Sequence, residues 1–135
     1  MYVAIEVRES WQAKKNYVVE KDCNSTNSAI IKYEINGSDK KAKAIKKKIP
    51  LEEYQKIIDE FYVLDFNKIF KENPDNIGLD GWEFKCSLVD GWNEISVSLW
   101  SPSKDDSKPE TAKLLESCRN VFERFKDRWF DGYEI

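Results

Sequence analysis

The chain has 135 residues, with 22 basic against 25 acidic side chains, three cysteines, no histidine, and 13% aromatic content at a net charge of −3. One compact domain fits this length, and the aromatic content with near-balanced charge is that of a folded domain rather than a disordered one. Without histidine there is no Ser-His-Asp or Cys-His pair and no His-ligated metal, so acid-base chemistry would fall to carboxylates, lysines and tyrosines alone.

Val3, Ile5 and Val7 alternate with Ala4, Glu6 and Arg8, which predicts a first strand with one core face and one wet face. Strand patterns follow at Asn16 to Lys21 and Ala29 to Asn36, the second closed by the turn signal Asn36-Gly37-Ser38-Asp39. Together they predict an antiparallel meander. The stretch Lys40 to Lys48 holds six lysines and no acid; taking its +6 from the overall −3 leaves −9 on the other 126 residues. No aromatic or arginine partners for bases are interleaved there, so it reads as a lysine-guarded edge strand with Ile45 and Ile49 inward, and no nucleic-acid partner is expected.

Pro50 opens a helix whose early acids Glu52 and Glu53 suit the positive end of its dipole. Tyr54, Ile57, Ile58, Phe61 and Tyr62 make its apolar stripe. Leu64 to Ile77 reads as a further helical turn or an irregular connection. In Gly78 to Pro102, taking Asp90-Gly91 as a two-residue loop sets Val89 opposite Trp92, Cys86 opposite Ile95, Phe84 opposite Val97 and Trp82 opposite Leu99. That puts three apolar pairs with no polar residue among them on one face and leaves Val89 and Trp92, Ser87 and Glu94, Lys85 and Ser96, and Glu83 and Ser98 on the other, with Trp100 over Gly81. Ser107-Lys108-Pro109-Glu110 is a capping-box pattern that starts a last helix, with Leu114, Leu115, Cys118, Val121, Phe122, Phe125 and Trp129 as its stripe and Asp131-Gly132 as its end. The fold expected is a single α+β domain over residues 1–135: a mainly antiparallel sheet of about six strands, a helix near residues 51–65, and a C-terminal helix on the same face.

Cys23, Cys86 and Cys118 are too far apart for a zinc motif and odd in number, so buried free thiols and a reducing, cytoplasmic setting are expected. The N-terminus lacks the pattern of a secretory signal, and no run is long and apolar enough for a membrane span, so no membrane partner is expected. No cofactor and no metal are expected: Asp80-Gly81-Trp82 and Asp90-Gly91-Trp92 each offer one acid where turn chemistry already explains it. The polar hairpin face is the better site, with Trp92 and Trp100 at its two ends around Glu83, Lys85 and Glu94, an arrangement of aromatic anchors and charges like a binding hot spot.

Gly78-Leu79-Asp80-Gly81-Trp82-Glu83-Phe84, the strand ending Leu99-Trp100-Ser101-Pro102, and the helix carrying Leu114, Leu115 and Cys118 resemble a set of small bacterial proteins of uncharacterised or immunity type. The resemblance covers about the C-terminal 50 residues, and differs where Trp82 follows Gly81 directly. It implies a non-enzymatic immunity protein that binds and neutralises a cognate bacterial toxin, and carries over no functional residues. If that toxin is a nuclease, Glu83, Glu94, Asp105 and Asp106 are the acids expected to cover its phosphate-binding groove. The other readings are a small-molecule or carbohydrate-binding domain using Trp92 and Trp100, and an enzyme using acids alone, such as the pair Glu83 and Glu94.

Overall fold

A computed structural model describes residues 1–9, 14–37, 40–74, 82–102 and 107–125. Six antiparallel strands form one sheet: β1 (Tyr2–Glu9), β2 (Lys14–Lys21), β3 (Ser28–Gly37), β4 (Lys40–Pro50), β5 (Trp82–Asp90) and β6 (Asn93–Trp100). Their order across the sheet is β4-β3-β2-β1-β5-β6. The predicted meander is therefore present, and the β5–β6 hairpin joins it on the free side of β1. The lysine strand β4 is an edge, as its charge implied, with Ile49 turned into the core.

Three helices, α1 (Leu51–Tyr62), α2 (Phe66–Glu72) and α3 (Pro109–Phe122, continued by a 3-10 turn Glu123–Phe125), supply the apolar cover for one face. Period-2 alternation in the strands gives that face Val3, Ile5, Val7, Tyr17, Val19, Ile31, Phe84, Cys86 and Leu99, all fully or almost fully buried. Onto it α1 lays Tyr54, Ile57, Ile58 and Phe61, and α3 lays Leu114, Leu115, Cys118, Val121 and Phe122. At the far end of α3 the rings of Tyr17 and Phe122 lie 4.5 Å apart and those of Tyr33 and Phe125 5.5 Å apart, an aromatic cluster that locks the helix to β2 and β3. Arg124 pairs there with Glu53 of α1, and Lys47 donates to the Arg124 carbonyl.

Several local expectations change. Tyr62 is 67% exposed, because α1 ends there and the chain turns off the sheet, so the last member of the predicted stripe lies outside the core. The connection after it is a true helix, α2, whose N-cap Asp65 accepts from the Lys68 amide at 3.1 Å. The start of α3 lies one residue beyond the Ser107 that the capping-box pattern marks as N-cap. Lys108 occupies the N-cap of α3 and Pro109 its first turn, and the cap comes from another helix: Glu72 accepts from the Thr111 amide at 2.9 Å and the Thr111 hydroxyl at 2.8 Å. Glu110 is thereby released to accept from the Asp65 amide at 2.9 Å. Each of α2 and α3 thus satisfies backbone donors at the start of the other, which a pattern confined to one segment does not reveal. Trp129, Ser38, Asp39 and the Asp131-Gly132 stop lie outside the described residues.

Cys86 and Cys118 are fully buried and Cys23 is exposed in the β2–β3 loop, which corrects the expectation that all three thiols are interior. Burial, and then hydrogen bonding with the neighbouring Cys86 thiol, push the Cys118 thiol well above its ordinary range. A thiol reagent in native buffer is expected to modify one cysteine quickly and the other two only after denaturant is added. Rapid modification of all three would mean that β5 and α3 do not pack as described.

Candidate functional site

The hairpin that carries the predicted site is formed one residue further along each strand than expected. Asp90 pairs with Asn93, so the loop residues are Gly91 and Trp92, and Phe84 faces Leu99, Cys86 faces Val97 and Leu88 faces Ile95. Gly91 has φ of +58° while Trp92 does not enter the left-handed region. A turn with glycine in its first central position needs positive φ only there, whereas an Asp-Gly loop of the other hairpin type would need it at both positions, including Asp90. Because the total slip is two residues, every side chain that stays in the two strands keeps its predicted face, and only Trp92 is moved off it into the loop.

The consequence for the site is large. Trp92 leaves the strand face and stands fully exposed at the hairpin tip, and Trp100 is half-buried opposite Glu83 rather than over Gly81, which lies outside the described residues. Eight residues of extended chain separate the two tryptophans, roughly 25 Å at the usual rise, so they cannot grip a single sugar ring together. Glu94 is exposed opposite Val89, six rows from the Glu83–Trp100 pair, or roughly 20 Å. Paired catalytic carboxylates work at about 5 to 9.5 Å, so these two do not form such a pair. Asp105 and Asp106, like Asp80, fall outside the described residues.

Helices α1, α2 and α3 pack against the other side of the sheet, so among the described residues the wet faces of β1, β2, β5 and β6 lie together without a helix over them. Here the structure adds residues to Glu83 and Lys85. Across the β1–β5 ladder Arg8 stands opposite Glu83 and Glu6 opposite Lys85, while Lys14 of β2 pairs with Glu6 at 2.9 Å. These five side chains line a shallow depression of about 150 Å³. Opposite charges alternate across it, and such cross-strand pairs contribute about 0.2–1 kcal/mol each. Glu83 is therefore not the isolated acid that a purely acidic, phosphate-mimicking surface would require.

Glu6, Arg8 and Lys14 escaped the sequence reading as site members because β1 and β5 are some eighty residues apart in the chain. The alternation of β1 did assign Glu6 and Arg8 to the wet face; what it lacked was the neighbour. A second hollow, about 470 Å³, lies at the β2–β3 loop and includes Lys21, Asp22, Cys23, Asn24 and Leu51. There the buried Asp22 carboxylate accepts from the Asn24 amide at 2.9 Å and from the Ser28 hydroxyl, which accounts for it as a loop staple. Among the described residues no helix is long and apolar enough to cross a membrane.

No protein-family model matches the chain, and no curated protein matches its sequence.

Proposed function

We propose that the protein is a non-enzymatic binding protein, an immunity protein that neutralises a cognate bacterial protein toxin through the helix-free face of its sheet and the hairpin tip. The observation that carries the reading is the one-sided architecture: the helices bury one face, and the other presents alternating charges with a fully exposed Trp92 at its corner. A large aromatic held in water gains most when a partner covers it, and fixed charges of both signs select a partner of complementary pattern. The mixed sign of the depression favours a toxin surface that also carries both charges over a uniformly basic groove. The resemblance of the C-terminal segment to immunity-type proteins points the same way.

The test is affinity capture at about 0.15 M salt, where charges are screened beyond about 8 Å, followed by expression of the captured protein alone. A stoichiometric partner that kills cells by itself, and is silenced by co-expression of this chain, supports the reading. Trp92→Ala is then expected to weaken the complex roughly 30-fold or more, as a hot-spot residue does, and Glu94→Ala to weaken it less and mainly through the association rate. Unchanged affinity in both variants would remove this face from the interface.

A further inference from the structure

We propose that β6 is a self-association edge, through which two copies of the chain join their sheets antiparallel about a two-fold axis. The two edges of the sheet differ sharply. β4 contains six lysines within nine residues, the composition of an edge protected against pairing. β6 reads Asn-Glu-Ile-Ser-Val-Ser-Leu-Trp, with one charge, no lysine and no proline. It has the alternation and β-branched content of a strand made to pair.

The geometry of the hairpin decides which groups are offered. A two-residue turn makes Asp90 and Asn93 a hydrogen-bonded pair, so the backbones of Asn93, Ile95 and Val97 bond to β5, and those of Glu94 and Ser96 point away from the sheet. On the helix side of the same stretch, Ile95 is 43% exposed although its strand neighbours Val97 and Leu99 are 3% and 2% exposed. A second β6 laid beside the first covers that side chain and supplies partners to the outward backbone groups.

Edge-to-edge joining has three forms. Pairing β4 with β4 sets lysine rows against each other, and pairing β4 with β6 leaves a free edge at each end and does not close. Only β6 with β6 uses up the unprotected edge and ends both sides in lysine strands. With Ser96 on the two-fold axis, Ile95 of each copy lies opposite Val97 of the other, and Glu94 meets no acid of the second copy. Both helix-free faces then lie on the same side of one continuous sheet, so the dimer is compatible with the binding face proposed above and does not depend on it.

Sedimentation velocity over a concentration series spanning the micromolar range tests this. The expected species approaches twice the 15.9 kDa chain mass as concentration rises. Ser96→Pro removes only an outward N–H, which an edge strand tolerates, and Ser96→Lys places a protecting charge on the exposed side. Each is expected to raise the dissociation constant roughly tenfold or more, with the circular dichroism of the lysine variant unchanged and its melting curve unchanged at concentrations where both chains are monomeric. Should the proline variant fail to fold, the lysine variant decides alone. A chain that stays monomeric throughout, or a dimer that Ser96→Lys leaves intact, would overturn the proposal; either result leaves the toxin-capture experiment unaffected.

Discussion

Replacing Phe122 by alanine is expected to destabilise the protein by about 3–5 kcal/mol, the range for a large buried aromatic truncated to a cavity. Phe122 is 1% exposed, and its ring meets that of Tyr17, which in turn meets Tyr33 and Phe125. The loss is not confined to contact area. A helix of 14 residues such as α3 is marginal by itself in water, so its formation depends on docking, and Phe122 sits on the turn that docks it to β2. Against a total stability of about 5–15 kcal/mol for a domain, the variant should show a much lower urea midpoint and a weakened helical signal before global unfolding. Phe70→Ala is the matched control: that side chain is 71% exposed, and its loss is expected to change stability by no more than about 0.5 kcal/mol. Equal effects from the two substitutions would contradict the packing of α3.

The second large effect is expected at Glu72. Its carboxylate takes the Thr111 amide and hydroxyl, and more distantly the Glu110 amide at 3.4 Å, and so serves as the N-terminal cap that α3 lacks in its own sequence. Glu72→Ala leaves those donors without a carboxylate and removes a negative charge from the positive end of the helix dipole, which should cost about 2 kcal/mol. Burial alone pushes the Glu72 carboxyl up, but the bonds from Thr111 and Glu110, with Lys68 nearby, outweigh it and hold the group below its ordinary value of 4.5. A carboxyl depressed in the folded state stabilises fully above its unfolded value, and that stability drains away as pH falls from about 4.5 through the folded value. Denaturation midpoints measured between neutral pH and about pH 3 should therefore converge for the wild type and Glu72→Gln as the pH falls. Curves that stay parallel would remove Glu72 from the cap.

Phe122 and Glu72 also mark the boundary between what could and could not be read from the residues. Phe122 was legible: Leu114, Leu115, Cys118, Val121 and Phe122 fall at helical spacing, and apolar spacing is a local property that any core must satisfy. The cap was not, because Ser107 and Glu110 satisfy a local pattern while the winning acceptor, Glu72, sits in a different helix. A pattern within four residues cannot register a competitor 39 residues away.

The same division runs through the sheet and the candidate site. Alternation by itself determined which side chains of β1, β5 and β6 face the core, and it survived a two-residue error in hairpin register because faces repeat every second residue. The lysine content of β4 suited this strand to an edge, and the sheet order put it there. Only the tertiary structure decided the rest. It set β1 against β5 and so placed Glu6 and Arg8 beside Lys85 and Glu83, turning expected acids into half of a mixed-charge surface. It gave the positive φ to Gly91 as the first loop residue, which put Trp92 at the tip rather than on the face. It sent α1, α2 and α3 to one side of the sheet and set β6 at the edge opposite β4. Face and edge preferences are properties of a single strand and its periodicity; which strand lies beside which, and what covers them, follows from burying one shared core, to which every segment contributes at once.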